Sequence, residues 1–229
     1  MASIRENFLR MQDRITAAAE RAGRDARSVQ IVAVSKTKPV SLILEAIDAG
    51  LTDIGENRVQ EAMGKYNQVD RPAKWHLVGH LQRNKVRQAL PIFDLIHSVD
   101  SLRLLTEIDR RSAQLDSRTE VLVQVNTSGE PSKYGLAPDA VLDFIENALG
   151  YAHIRIKGLM TIGAFLPDPE AVRPSFVLLR TLQEEISEQR FEGVEMEYLS
   201  MGMTNDFEVA IEEGANLVRI GTAIFGERD

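Results

Sequence analysis

Lys36 closes a β-branched run, and that placement gives it chemistry to do. Residues 29–34 (Val-Gln-Ile-Val-Ala-Val) have the composition of a strand buried on both faces, as in a parallel sheet. Lys36 follows within two residues. Parallel strands in α/β folds deliver the chain to the face where ligands bind. Apolar neighbours there disfavour the ammonium form of a lysine, which leaves a neutral amine able to condense with an aldehyde as a Schiff base. Taken alone, Lys36 reads more readily as a solvated loop residue, so other positions must make the case.

Two further stretches supply groups that complement an amine. Ser200-Met-Gly-Met-Thr-Asn-Asp206 follows an apolar strand and opens a helix. Gly202 allows close backbone approach, and Ser200 and Thr204 carry hydroxyls beside the helix start. Gly221-Thr222 repeats the arrangement after the last strand. An ordinary turn with Thr204 as N-cap accounts for the first loop by itself. The two loops together, at consecutive strand ends, point to a phosphate.

Arg219 interrupts the apolar Leu217-Val-Arg-Ile220, and a buried guanidinium needs a partner in the protein or in a ligand. Asn57, just past a short strand, is placed either to bond a ligand hydroxyl or to satisfy backbone at a helix start. Pyridoxal 5′-phosphate (PLP) matches the set. Its aldehyde would sit on Lys36, its phosphate on the Ser200 and Gly221 loops, and its pyridine nitrogen near Arg219, whose charge disfavours a proton there. A cofactor-free Schiff-base aldolase acting on a sugar phosphate would use the same residues, and stays open at this level.

These residues need a scaffold that brings positions 36 and 219 together. Ile4, Phe8, Met11, Ile15 and Ala18 or Ala19 recur at helical spacing over 3–22, ahead of the first strand. Strand patterns follow at 29–34, 52–55, 75–79, 94–99, 121–125, 154–160, 195–199 and 216–220. Helical patterns separate them at 40–49, 56–66, 82–90, 102–116, 138–148, 172–190 and 206–213. There is no linker, repeat or low-complexity tract, and no Gly-x-Gly-x-x-Gly turn after the first strand. The pattern predicts one α/β domain over 1–229, a single (β/α)8 TIM barrel with an additional N-terminal helix. In such barrels phosphate sites form after strands seven and eight.

Composition narrows the function classes. At 229 residues the chain suits one barrel, and its net charge of −7 argues against broad nucleic-acid binding. The absence of cysteine excludes disulfides and thiolate chemistry, and no His/Asp/Glu cluster has metal spacing. The N-terminus lacks a signal pattern and no apolar run reaches membrane length, so a cytoplasmic protein away from membranes is expected. His76 reads as packing and His80 as a residue at the edge of a site. Lys38, Lys85 and Lys133 read as solvated charges on loops at the barrel mouth.

Ala33-Val-Ser-Lys-Thr-Lys-Pro39, Gly55-Glu-Asn-Arg-Val-Gln-Glu61, Trp75-His-Leu-Val-Gly-His-Leu-Gln-Arg-Asn-Lys85, Gly129-Glu-Pro-Ser-Lys-Tyr-Gly135, Lys157-Gly-Leu-Met-Thr161 and Val218-Arg-Ile-Gly-Thr-Ala-Ile-Phe-Gly226 closely resemble the pyridoxal phosphate homeostasis proteins. The resemblance runs in order from about residue 30 to residue 226. It implies a barrel like the N-terminal domain of alanine racemase, with PLP as an internal aldimine on Lys36. It also implies phosphate contacts at Ser200, Gly202, Thr204, Gly221 and Thr222, and Arg219 near the ring nitrogen. The family's usual Ser-Met-Gly-Met-Ser has Thr204 in last place here, which keeps the hydroxyl.

The implied role is to hold, buffer or deliver PLP, with PLP-dependent apoenzymes as recipients. A weakly active amino-acid racemase or decarboxylase is the alternative. That chemistry needs a base on the ring face opposite the lysine. Racemases of this kind take a tyrosine from a second domain, which a single barrel over 1–229 is expected to lack, and nothing places Tyr134 there. A monomer is expected.

Overall fold

Side chains alternate between two faces along eight strands, and towards the C-terminal end of the barrel both faces are buried. The computed structural model describes residues 3–130 and 132–227. Helix α1 (Ile4–Arg21) comes first, capped by Ser3, whose hydroxyl accepts from the Glu6 amide while the Glu6 carboxylate accepts from the Ser3 amide. There follow β1 (Gln30–Val34), α2 (Val40–Asp48), β2 (Asp53–Glu56), α3 (Val59–Tyr66), β3 (Lys74–Leu77), α4 (Val86–Ala89), β4 (Leu95–Val99) and α5 (Leu102–Gln114). The second half contains β5 (Thr119–Gln124), α6 (Val141–Ala148), β6 (Ile154–Met160), α7 (Arg173–Gln189), β7 (Val194–Met203), α8 (Phe207–Glu212), β8 (Leu217–Ile220) and α9 (Thr222–Phe225). The strands pair in sequence order, all parallel, and β8 closes on β1. The expected TIM barrel with its N-terminal helix is the observed fold.

Inside the barrel lies a small apolar cluster of Val32, Val34, Val78, Leu95, Leu122, Met160 and Leu217. The larger core lies between strands and helices, where Ala33, Ile54, Trp75, Ile96 and Val121 meet residues such as Ile43, Leu105 and Phe176. Each fully buried Val, Leu or Ile contributes about 1.5–3 kcal/mol. The outer layer therefore supplies most of the stability, and the interior is left able to accommodate polar side chains.

Three departures from the expected elements bear on the site. Helix α9, only four residues long, was not anticipated. Helix α1 packs against α8, α9 and α2, filling the outer wall beside this short helix, with its predicted apolar stripe buried. Strand β7 runs on to Met203 instead of ending at 199, because Ser200 still pairs with Met160 of β6 and Leu217 of β8. Residues 82–90 form a 3-10 turn (Arg83–Lys85) followed by the single turn of α4. No described helix is long and apolar enough to cross a membrane.

Candidate functional site

Two inward-facing series end in cations on neighbouring strands. In β1, Val32 and Val34 point into the barrel, and the same alternation carries Lys36 to the C-terminal mouth. In β8, Leu217 points inward and Arg219 follows two residues later, paired with Val32. Both cations line one cavity of about 630 Å³, together with Asn57, Thr204, Gly221 and Thr222. Val34 and Val78 form its apolar floor, and Ile162, Phe165 and Leu166 form an exposed apolar lip.

Lys36 is half-buried and is positioned through its chain neighbours. Ser35 is fully buried; its hydroxyl donates to Glu56 Oε1 (2.6 Å) and its carbonyl accepts from Lys65 Nζ (2.9 Å). Lys65 Nζ also reaches Glu56 and Glu61, each at 2.7 Å. Glu61 in turn accepts the amide of Thr37, which sits in the left-handed region at φ 64°. One ionic cluster outside the strand thus grips both neighbours of Lys36. Burial pushes the Glu56 carboxyl above its ordinary range, against the bonds from Lys65 and Ser35. Glu61 also feels burial, but its bonds from Lys65 and Thr37 prevail and hold it low.

Arg219 is held differently. It is buried, with Nη1 donating to Ser200 Oγ (2.6 Å) and Nη2 to the Thr161 carbonyl (2.7 Å). Those bonds use two of the five donors of a guanidinium. Among the described residues Arg219 forms no ion pair; burial lowers its pKa to about 10, with only the field of Asp206 opposing. Asp206 itself caps the β7 turn, accepting the Met203 amide at 2.6 Å. A buried cation on a cavity wall, bonded to neutral acceptors alone, fits a ligand that presents an uncharged acceptor such as a pyridine nitrogen.

The expected phosphate loops lie side by side. Met203 pairs with Arg219, so the turns after β7 and β8 emerge together. Thr204 and Thr222 both line the cavity beside helices α8 and α9, whose six and four residues offer first-turn amides but no long helix dipole.

Ser200 and Gly202 do not join this wall. Ser200 is enclosed inside the barrel between Arg219 and His97, whose Nδ1 lies 2.9 Å from its Oγ. Gly202 has φ 89°, and a Cβ there would stand 2.6 Å from Ala210 Cβ and 2.9 Å from Phe207 Cα. The close approach that glycine permits is therefore to α8.

The remaining candidates divide. Lys38 lines the cavity and donates to the Glu227 carbonyl (2.6 Å), whereas Lys85 is absent from its wall. Lys133 bonds the Gly163 carbonyl (3.1 Å) and Glu130 (2.6 Å). His80 stacks on Tyr134 with ring centroids 4.0 Å apart, off the cavity wall. His76, read from the sequence as packing, instead bonds Asp53 and His97. The reading also missed His97, Thr161, Glu56 and Lys65; of their contacts, only the i,i+4 spacing of Glu61 and Lys65 is visible in sequence.

Residues 5–229 match the family described as alanine racemase, N-terminal domain. A pyridoxal phosphate homeostasis protein of Aquifex aeolicus is 44% identical, over 97% of each chain. One of Pseudomonas aeruginosa is 43% identical, over 100% of this chain and 97% of its own. PipY of Synechococcus elongatus, solved with PLP bound, matches with a TM-score of 0.86 at 34% identity, over 98% of this chain and 100% of its own. This chain belongs to the pyridoxal phosphate homeostasis proteins, which share the alanine racemase N-terminal domain.

Proposed function

We propose that the protein binds pyridoxal 5′-phosphate in the mouth cavity and holds it for delivery to PLP-dependent apoenzymes, without turning over amino acids itself. The observation that carries this is the buried Arg219, which forms no ion pair among the described residues, on the same wall as Lys36. Lys36 supplies the amine that attaches the aldehyde covalently. Thr204, Gly221 and Thr222 receive the phosphate, with Ser200 and Gly202 shaping the strand behind them, and Asn57 meets the ring hydroxyl. PLP bound here supplies an electron sink for amino-acid chemistry. The fixed charge of Arg219 disfavours a proton on the ring nitrogen and weakens that sink, which suits holding better than turnover.

Three further points support the role. The relatives are named for PLP homeostasis, and PipY carries PLP. Racemisation requires a proton-transfer group facing Lys36, and the described cavity wall presents neither tyrosine nor histidine. The lip at Phe165 is exposed, so a ligand in the cavity remains accessible.

Equilibrium dialysis with PLP and with pyridoxal, followed by incubation of loaded protein with a PLP-dependent apoenzyme or with alanine, tests this. Holding and delivery predict tighter binding of PLP than of pyridoxal, activation of the apoenzyme and no racemisation. Equal binding of the two vitamers, or multiple turnovers of alanine, would overturn it.

A further inference from the structure

A chain of hydrogen bonds crosses the barrel interior from one end to the other. It starts at Asp53, at the base of β2 and beside a hollow of about 310 Å³ at the end opposite the mouth. Asp53 Oδ1 meets His76 Nε2 at 3.1 Å, and His76 Nδ1 meets His97 Nε2 at 2.9 Å. His97 Nδ1 meets Ser200 Oγ at 2.9 Å, across the lumen from β4 to β7. Ser200 Oγ meets Arg219 Nη1 at 2.6 Å. His76, His97, Ser200 and Arg219 are all buried.

The chain has a direction. Arg219 can only donate, so Ser200 accepts from it and must place its own proton elsewhere. Among the described residues the other side-chain atom bonded to Ser200 Oγ is His97 Nδ1, and a hydroxyl that donates to it makes Nδ1 the acceptor. Burial first, then the fields of His76 and Arg219, hold His97 well below its ordinary pKa, so it is neutral. A neutral His97 that accepts at Nδ1 carries its proton on Nε2 and donates to His76 Nδ1. His76 then carries its proton on Nε2 and donates to Asp53. Every link has one donor and one acceptor.

We propose that Asp53, His76, His97 and Ser200 form a directional relay that positions Arg219, with both histidines in the Nε2–H form. The Ser200 hydroxyl is consumed by this relay, and the two histidines are positioning residues that touch no ligand. The effect on the cofactor rests on the PLP reading above; the tautomers do not.

Two measurements test the relay. Long-range 1H–15N NMR on the wild-type protein without added PLP should show Nε2–H tautomers at both His76 and His97. A proton on His97 Nδ1, alone or together with Nε2, would overturn the proposal. Dialysis with PLP should then show affinity about tenfold weaker in His97→Phe and Asp53→Leu, as expected for lost buried hydrogen bonds. Asp53→Asn keeps an acceptor oxygen and should stay within about twofold of wild type. Wild-type affinity in a folded His97→Phe, or equal losses in Asp53→Asn and Asp53→Leu, would also overturn it. A wild-type protein that shows both tautomers yet binds no PLP would remove the cofactor reading and leave the relay standing.

Discussion

Lys36 and Arg219 sit on adjacent strands and line one cavity, yet the protein holds them by opposite means. Beside Lys36 is a charged cluster, Lys65 with Glu56 and Glu61, lying outside the barrel and bonded to the backbone of Ser35 and Thr37. Around Arg219 are neutral groups inside the barrel, bonded directly to its side chain. The first arrangement fixes the main chain on either side of Lys36, whose side chain lines the cavity. The second fixes a side chain through neutral acceptors, with no ion pair among the described residues. Attachment of an aldehyde needs the former; recognition of an electron-rich atom needs the latter.

The contrast can be broken first at Lys65. Glu56 is fully buried, and removing its cation with Lys65→Met leaves an unpaired acid next to the Lys36 turn. Urea denaturation should show a loss of about 3 kcal/mol, the scale for stranding one partner of a buried pair. Arg219→Met should behave in reverse. Among the described residues the cation has no ion pair, and only the Ser200 hydroxyl and the Thr161 carbonyl lose a donor, so the stability loss should be about 1 kcal/mol, smaller than for Lys65→Met. Its affinity for PLP should nevertheless fall by about tenfold or more, since the ring nitrogen loses a charged donor. Equal stability losses in the two variants would erase the distinction.

Two acids, Glu56 and Asp53, should also respond to pH with opposite sign. Unfolded Glu56 releases its proton near 4.5, while the folded protein keeps it to higher pH. Over that window the native state binds the extra proton, so this group's contribution to stability declines as pH rises. Asp53 runs the other way. Burial pushes it up, but the bonds from His76 and Thr52 prevail and place it below its ordinary 3.8. Its contribution is present above about 3.8 and is lost as pH falls through the lower folded value. In urea melts across pH, Glu56→Gln should flatten the slope above 4.5, and Asp53→Asn should flatten the slope on the acid side. The Asp53 effect should be the smallest of these, because its carboxylate is partly solvated.

The barrel was legible because its evidence is local. The Val29–Val34 run, the Ile4–Ala19 stripe and the alternation of elements all follow from periodicity over a few residues. Arg219 stood out for the same reason, as a charge among apolar strand neighbours. Two misjudgements were also local. Gly202 suggested a turn, but pairing with β6 and β8 carries β7 to Met203, and this draws Ser200 inside the barrel. Helix α9 is too short to show periodicity. The relay was beyond reach for a different reason. His97 meets partners 21 and 103 residues away in sequence, and only closure of the barrel brings them together. A histidine in an apolar strand carries no mark of what it faces.

Covalent attachment at Lys36 is the claim on which the rest depends, and borohydride reduction of PLP-loaded protein followed by peptide mass mapping tests it directly. The expected result is a reduced pyridoxyl group on the peptide containing Lys36 in wild type and no label in Lys36→Ala. A label on Lys38 or another lysine, or PLP retained by the protein without any reducible link, would contradict it.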